Sequence, residues 1–279
     1  FSELTVGKYR IDSLCFDNEN NSFVIIEYKK GNSYSVIDQG YTYLQLLLNN
    51  KSDFLLTLSQ HYNKVLRLED VDWSQSRIIF VSPSFNSYQK DSVNFKNLPF
   101  ELWEIKRFSN NTIVFNKHKS SSNESIESLN NKNKNVISSV SREVKVYSIE
   151  EHTSNLNEVM FEKWNQIIGQ INELQGVELI PKRHYIGLVL NDSTKSTICY
   201  LKFRKSKIGL TILRGIHNPD GFKSKNYFTL DDPKEITKDH QRILNNGTTQ
   251  KSYKISTDHK SDLDYLIFLI KQKYNSLLN

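Results

Sequence analysis

The sequence predicts two domains in succession: an α/β domain with a mixed central sheet flanked by helices over 1–115, and a small α+β domain over 147–279. Three observations lead there. In the first 115 residues, strand-like runs of β-branched and aromatic residues alternate with runs of helical period, the order that builds an α/β sandwich. Residues 116–146 are rich in Lys, Ser and Asn with almost no periodic apolar signal, which reads as a flexible linker. Beyond them, amphipathic helices bracket a group of consecutive strands.

Taken in order, a first strand over 2–6 ends at the Gly7-Lys8 turn. Residues 11–16 (IDSLCF) and 23–29 (FVIIEYK) read as two strands joined by the polar turn 17–22, and the apolar run Phe23, Val24, Ile25, Ile26 marks a central strand. A helix follows over 36–49. A second helix is expected after Ser52-Asp53, with the stripe Phe54, Leu58, Tyr62, Val65, Leu66. Then come a strand at 77–82, a partly helical loop at 83–97 whose polar residues Ser84, Asn86, Ser87, Tyr88 and Lys90 suit substrate contacts, and strands near 100–108 and 112–115. In the second domain Ser154 is the expected cap of a helix carrying Met160, Trp164, Ile167 and Ile171. Strands at 185–190, 197–204 and 208–213, a short helix at 234–244, a strand at 253–256 and a closing helix at 261–277 complete the expectation.

Composition narrows the function classes. A net charge of +6 and a pI near 9.0 suit a polyanionic partner. The two cysteines, Cys15 and Cys199, lie far apart in apolar runs and read as buried thiols of a reducing cytoplasm, and the seven histidines lack zinc-ligand spacing. No apolar run reaches membrane-spanning length and no signal peptide is evident, so a cytoplasmic protein without a membrane partner is expected. The chain begins at Phe1 without Met, and residues ahead of it are expected.

The chemistry concentrates in the first hairpin. Side chains alternate along a strand, so Glu27 and Lys29 emerge on one side with Tyr28 on the other, and Asp12 stands on the neighbouring strand. Two carboxylates supply the hard oxygen ligands that Mg²⁺ prefers, with Mn²⁺ able to substitute. Such an ion can polarise a phosphodiester and activate a water, which Lys29 would orient or deprotonate. The following helix carries Gln39 and Tyr43 at i and i+4, on one face. An acid two residues before a lysine also occurs at Glu104, Glu143, Asp232 and Asp258, but only Glu27 has both an aspartate on a hairpin partner and a Gln-bearing helix behind it.

Asp12, fifteen positions ahead of Glu27-Tyr28-Lys29, with Gln39 and Tyr43 in the next helix, resembles the PD-(D/E)XK nuclease superfamily in its Gln-x-x-x-Tyr branch, over about 3–115. The motif's proline is absent, Ile11 standing before Asp12. The resemblance implies a restriction-endonuclease-like fold and metal-dependent hydrolysis of DNA, RNA being the less favoured substrate. It implies Asp12 and Glu27 as metal ligands, Lys29 as base or transition-state stabiliser and Gln39 as helper. A further acid often precedes the first strand in that superfamily, and Glu3 is the nearest candidate here. Arg10 could meet a phosphate or pair with Glu27, Lys30 and Gly31 sit where a DNA backbone would approach, and Tyr43 is a candidate substrate contact. A single site of this kind cuts one strand, so a homodimer would suit a duplex.

The second half, through YSIEEH at 147–152 and DLDYLIFLIKQKY at 262–274, resembles a domain of unknown function often fused behind such nucleases. It shows no catalytic constellation and would choose the substrate or a partner. Lys202, Arg204, Lys205, Lys207 and Arg214 gather on two adjacent strands and their hairpin, either a nucleic-acid grip or a solvated surface. Against the nuclease stands a catalytically inactive nucleic-acid-binding or protein-interaction module that keeps the fold; divalent metal at Asp12 and Glu27 separates the two.

Overall fold

The apolar run that opens the third strand fills the middle of a sheet. In the computed structural model, which describes residues 1–30, 36–95, 98–120, 122, 140, 143–191, 193–218, 220–224 and 227–278, with the backbone alone for 193–195, the chain divides into two units, Phe1–Val146 and Tyr147–Asn279. The first contains β1 (Ser2–Val6), β2 (Tyr9–Asp17), β3 (Ser22–Tyr28), α1 (Val36–Asn49), α2 (Lys51–Tyr62), β4 (Arg77–Ser82), α3 (Ser87–Ser92), β5 (Phe100–Arg107) and β6 (Ile113–Lys117). Its six strands lie in chain order. The three at the centre, β3, β4 and β5, run parallel, and the outer pairings are antiparallel. Parallel neighbours need a crossover, which α1 and α2 supply between β3 and β4, and α3 between β4 and β5.

Local chemistry explains the boundaries. Asp17 closes the β2–β3 turn: its Oδ1 accepts from the backbone N–H groups of Glu19 at 3.0 Å and Asn20 at 3.2 Å, and its Oδ2 lies 3.1 Å from Arg77 of β4. Helix α1 buries Val36, Gly40, Tyr41, Leu44 and Leu47 against the sheet. Helix α2 stops at Tyr62 because Asn63 turns left-handed (φ 47°), its N–H bonding to Gln60 O and that of Lys64 to Ser59 O. Val65, expected on the buried stripe of this helix, therefore lies past its end and is 89% exposed, whereas Leu66 folds back into the core. Cys15, expected buried, is exposed: alternation turns Leu14 into the core and Cys15 to the other face, and an apolar run does not tell which face is covered. Of the expected linker, Asn116 and Lys117 complete β6, Val140 and Val144 are buried in this unit's core, and Lys132 and Lys134 lie outside the described residues.

The second unit is an antiparallel sheet with helices. Its elements are α4 (Ile149–Thr153), α5 (Glu158–Asn172), β7 (Val177–Pro181), β8 (Ile186–Leu190), β9 (Ser193–Arg204), β10 (Lys207–His217), β11 (Lys238–Ile243), β12 (Thr249–Thr257) and α6 (Leu263–Leu278), with strand order β11-β12-β10-β9-β8-β7. Met160, Trp164 and Ile167 of α5 and Leu266, Ile267 and Ile270 of α6 share one core with the sheet. Three expectations are corrected. Ser154 caps no helix; Ser148 caps α4 and Asn157 caps α5, each accepting from a backbone N–H three residues on. Val177–Pro181 forms a strand that its short length concealed. The expected helix at 234–244 is mostly strand β11, because Lys238–Ile243 pairs along β12 through the Asn246-Gly247 turn and ladder hydrogen bonds outweigh a weak helical period. Among the described residues no helix is long and apolar enough to cross a membrane.

One contact sets how closely α1 approaches the sheet. Gly40 lies against the Phe100 ring, where an added Cβ would stand 2.7 Å from Cε1, and the ring is held between Tyr41 and Phe80. Gly40→Ala gains helix propensity but overpacks this contact, so it should lower unfolding stability by about 1–3 kcal/mol. Urea unfolding checks this; a variant at least as stable as wild type would contradict the packing account.

Candidate active site

Strand alternation and one helix face bring five side chains together. Phe23 and Ile25 point into the core, Phe23 against Phe54 of α2 and Trp73, so Glu27 and Lys29 follow on the same side while Tyr28 points out to solvent. The Lys29 N–H continues the parallel ladder by donating to Val81 O at 2.7 Å. Asp12 of β2 reaches across the strand, its Oδ2 accepting from the Tyr28 N–H at 2.9 Å.

Gln39 of α1 ties the group. Its Nε2 donates to Glu27 Oε1 at 2.7 Å and to the Tyr43 hydroxyl at 3.1 Å, and its Oε1 accepts from Lys29 Nζ. Tyr43 donates its own proton to the Arg10 carbonyl at 3.0 Å, so it can only accept from Gln39, which assigns the amide orientation. Lys29 Nζ also lies 3.7 Å from Glu27 Oε1, with both side chains only 9% exposed, and stands 5.7 Å over the Phe80 ring. Sequence reasoning missed Phe80; its signal was the alternation in RIIFVS, which sets it directly opposite Glu27 in the β3–β4 register.

The electrostatics centre on Glu27. Burial above all, then the Asp12 carboxylate, raise its pKa above the ordinary 4.5, outweighing Lys29, the Gln39 hydrogen bond and the backbone of Asp12, which pull it down. Its Oε2 is buried and accepts no hydrogen bond of ordinary geometry. A buried carboxylate oxygen left this way is costly unless something binds it. With Asp12 beside it, the donor set is hard, anionic and oxygen-only, which fits Mg²⁺ or Mn²⁺. Among the described residues no three His, Cys, Asp or Glu side chains converge, so an ion here would keep several waters.

The other candidates fall outside this group. Glu3 pairs with Arg10 on the outer strands, both about two-thirds exposed, so Glu3 joins no cluster with Asp12 and Glu27, and Arg10 does not pair with Glu27. Lys30 is exposed at the strand end, and Gly31 lies outside the described residues. Tyr43 is buried with its hydroxyl engaged inside the protein, and its burial raises the phenol's pKa above the ordinary 10. In the 83–97 stretch Asn86 caps α3, Lys90 pairs with Glu104 at 2.9 Å and Tyr88 stays exposed. Glu104 also accepts from the Phe85 N–H at 3.0 Å, giving the second acid-x-Lys segment a structural role.

Because the folded state holds the Glu27 proton more tightly than the unfolded chain, this group supports folding below pH 4.5 and loses that support as pH rises through its elevated pKa. Metal-free wild type should therefore lose stability relative to Glu27→Gln between pH 4 and pH 7, read by denaturant unfolding at each pH. A difference that moves the other way would show that Glu27 is not held against ionisation.

No family model matches the chain. It is 35% identical over 278 residues, 97% of this chain and 84% of the relative's length, to an uncharacterized protein of Haemophilus influenzae. At that identity and coverage, the chain belongs to one family with this Haemophilus influenzae protein.

Proposed function

We propose that the first unit is a metal-dependent nuclease that hydrolyses phosphodiester bonds of DNA. The observation that carries the reading is a buried Glu27 with an orphaned oxygen, flanked by Asp12 and locked to Lys29 by one glutamine. Charges placed this deep at the end of a central strand are expensive without a task. The six-stranded mixed sheet with helical crossovers agrees with a restriction-endonuclease-like fold.

Asp12 and Glu27 would hold the divalent ion, which supplies Lewis acidity at a phosphoryl oxygen and makes a bound water more acidic. Lys29 directs one N–H to Gln39 and faces Glu27 with another, leaving the third for the attacking water or a phosphoryl oxygen, where it orients the nucleophile and meets developing charge. Gln39 is a positioning residue that holds acid and base at fixed separation, and Tyr43 fixes Gln39 through the Arg10 carbonyl. Exposed Lys30 and Arg10 suit the DNA backbone, Arg10 after leaving Glu3.

Cleavage of single-stranded, duplex and branched DNA with Mg²⁺ or Mn²⁺ tests this. Lys29→Ala and Glu27→Ala should each lower the rate by about 10²-fold or more, the scale of losing a transition-state stabiliser. Gln39→Ala should lower it less and broaden its pH dependence. A folded protein that cuts none of these and whose melting temperature is unmoved by either metal would instead be a binding or assembly module.

A further inference from the structure

In the second unit α5 and α6 cover one face of the sheet, where Leu201, Ile208, Leu210, Ile212 and Ile255 enter the core. Alternation sends their neighbours to the opposite face. Lys202 and Arg204 of β9, Lys254 of β12, and Lys238, His240 and Arg242 of β11 therefore share that face. Side-chain contacts agree: Arg242 Nε donates to Gln250 of β12 at 3.0 Å, and His240 Nδ1 lies 3.4 Å from Ser252 Oγ.

These cations are crowded. Lys238 stands directly opposite Lys254 in the β11–β12 register, an arrangement that weakens a sheet. Partial desolvation, then Lys254, Arg242 and Arg204, depress the pKa of Lys202; desolvation, then Lys254, Arg242 and Lys202, depress that of His240. Among the described residues no carboxylate pairs with Lys202, Arg204, Lys238 or Lys254. Over 200–217 and 238–257 the sequence carries nine Lys and Arg and a single acid, Asp239. That acid turns to the other face, 3.8 Å from Arg214. Arg214, expected with the basic hairpin, is instead displaced at a β-bulge and lies over the rings of Tyr227 and Tyr253.

We infer that the outer face of β9, β10, β12 and β11 binds the phosphate backbone of a nucleic acid. Cations repeat about 7 Å apart along a strand, and the patch spans three strand spacings, roughly 14 Å across. A single phosphate would meet one or two of them, whereas a polynucleotide can meet them in succession. Between the cations stand Gly209, Thr211 and Ser256, which let a backbone approach and offer hydroxyl donors. An anionic membrane would call for apolar anchors among the charges, and these positions provide none. The inference stands whether or not the first unit cuts DNA.

The test uses the full chain in EDTA, with a fluorescent 20-nucleotide single strand and its duplex as probes, between 50 and 200 mM salt. Lys202→Gln/Lys254→Gln should bind at least tenfold more weakly. Its salt dependence should flatten by about 1.4 to 1.8 in log-log slope, the share of two phosphate contacts. Lys260→Gln/Lys271→Gln, which removes the same charge from exposed positions off this face, should change little, and melting curves check folding of both. Absence of binding by wild type, equal losses in the two variants, or binding confined to phosphatidylserine-containing vesicles would overturn the inference. Retained binding without any cleavage in Mg²⁺ would sink the nuclease reading alone.

Discussion

The first unit is organised around a carboxylate that the fold buries at the end of its central strand. Glu27 is removed from water by the same alternation that buries Phe23 and Ile25, and Asp12 adds a second negative charge beside it. A group in that position needs partners from outside its own strand. They come from α1, through Gln39, and from Lys29 two residues on. The relay from the Arg10 carbonyl through Tyr43 and Gln39 to Glu27 and Lys29 joins three consecutive elements, β2, β3 and α1.

Packing makes that relay available. Gly40 follows Gln39 and lets the helix approach Phe100 closely enough for a short amide to reach the end of β3. Phe80, across the parallel register from Glu27, lies beneath the ammonium of Lys29. Core packing and site geometry are therefore one constraint: the residues that seat the helix also set the separation of acid and base. The orphaned Glu27 Oε2 is a local expense of the kind proteins keep where a ligand offsets it.

The second unit shows the same tension on a surface. Its helices satisfy one face of the sheet, and the other gathers cations that repel one another across three strands. A sheet selected for stability alone would intersperse acids there. The only acid in those strands faces away. Both units thus concentrate like charges, carboxyl groups around a buried Glu27 in the first and exposed cations on one sheet face in the second.

Much of this was legible in the sequence, because strand periodicity and motif spacing are local. The hairpin of β2 and β3, the central place of the Phe23–Ile26 run, the shared side of Glu27 and Lys29, and the single helix face of Gln39 and Tyr43 all follow from a period of two or of 3.6. Periodicity within one segment failed where a partner outside that segment decided. Lys238–Ile243 became a strand only by pairing with β12, and with it Lys238, His240 and Arg242 joined a basic face that the sequence placed on one hairpin. Cys15 is exposed because alternation turns Leu14 inward, and its own run does not tell which face is covered. Glu3 and Arg10 found each other instead of the site because the outer strands are open to water. The sequence by itself determined which residues could carry the chemistry and on which side of each element they lie. Only the tertiary structure decided which of them meet, because hydrogen bonds and burial depend on how separate elements pack, which the pattern within any one of them does not fix.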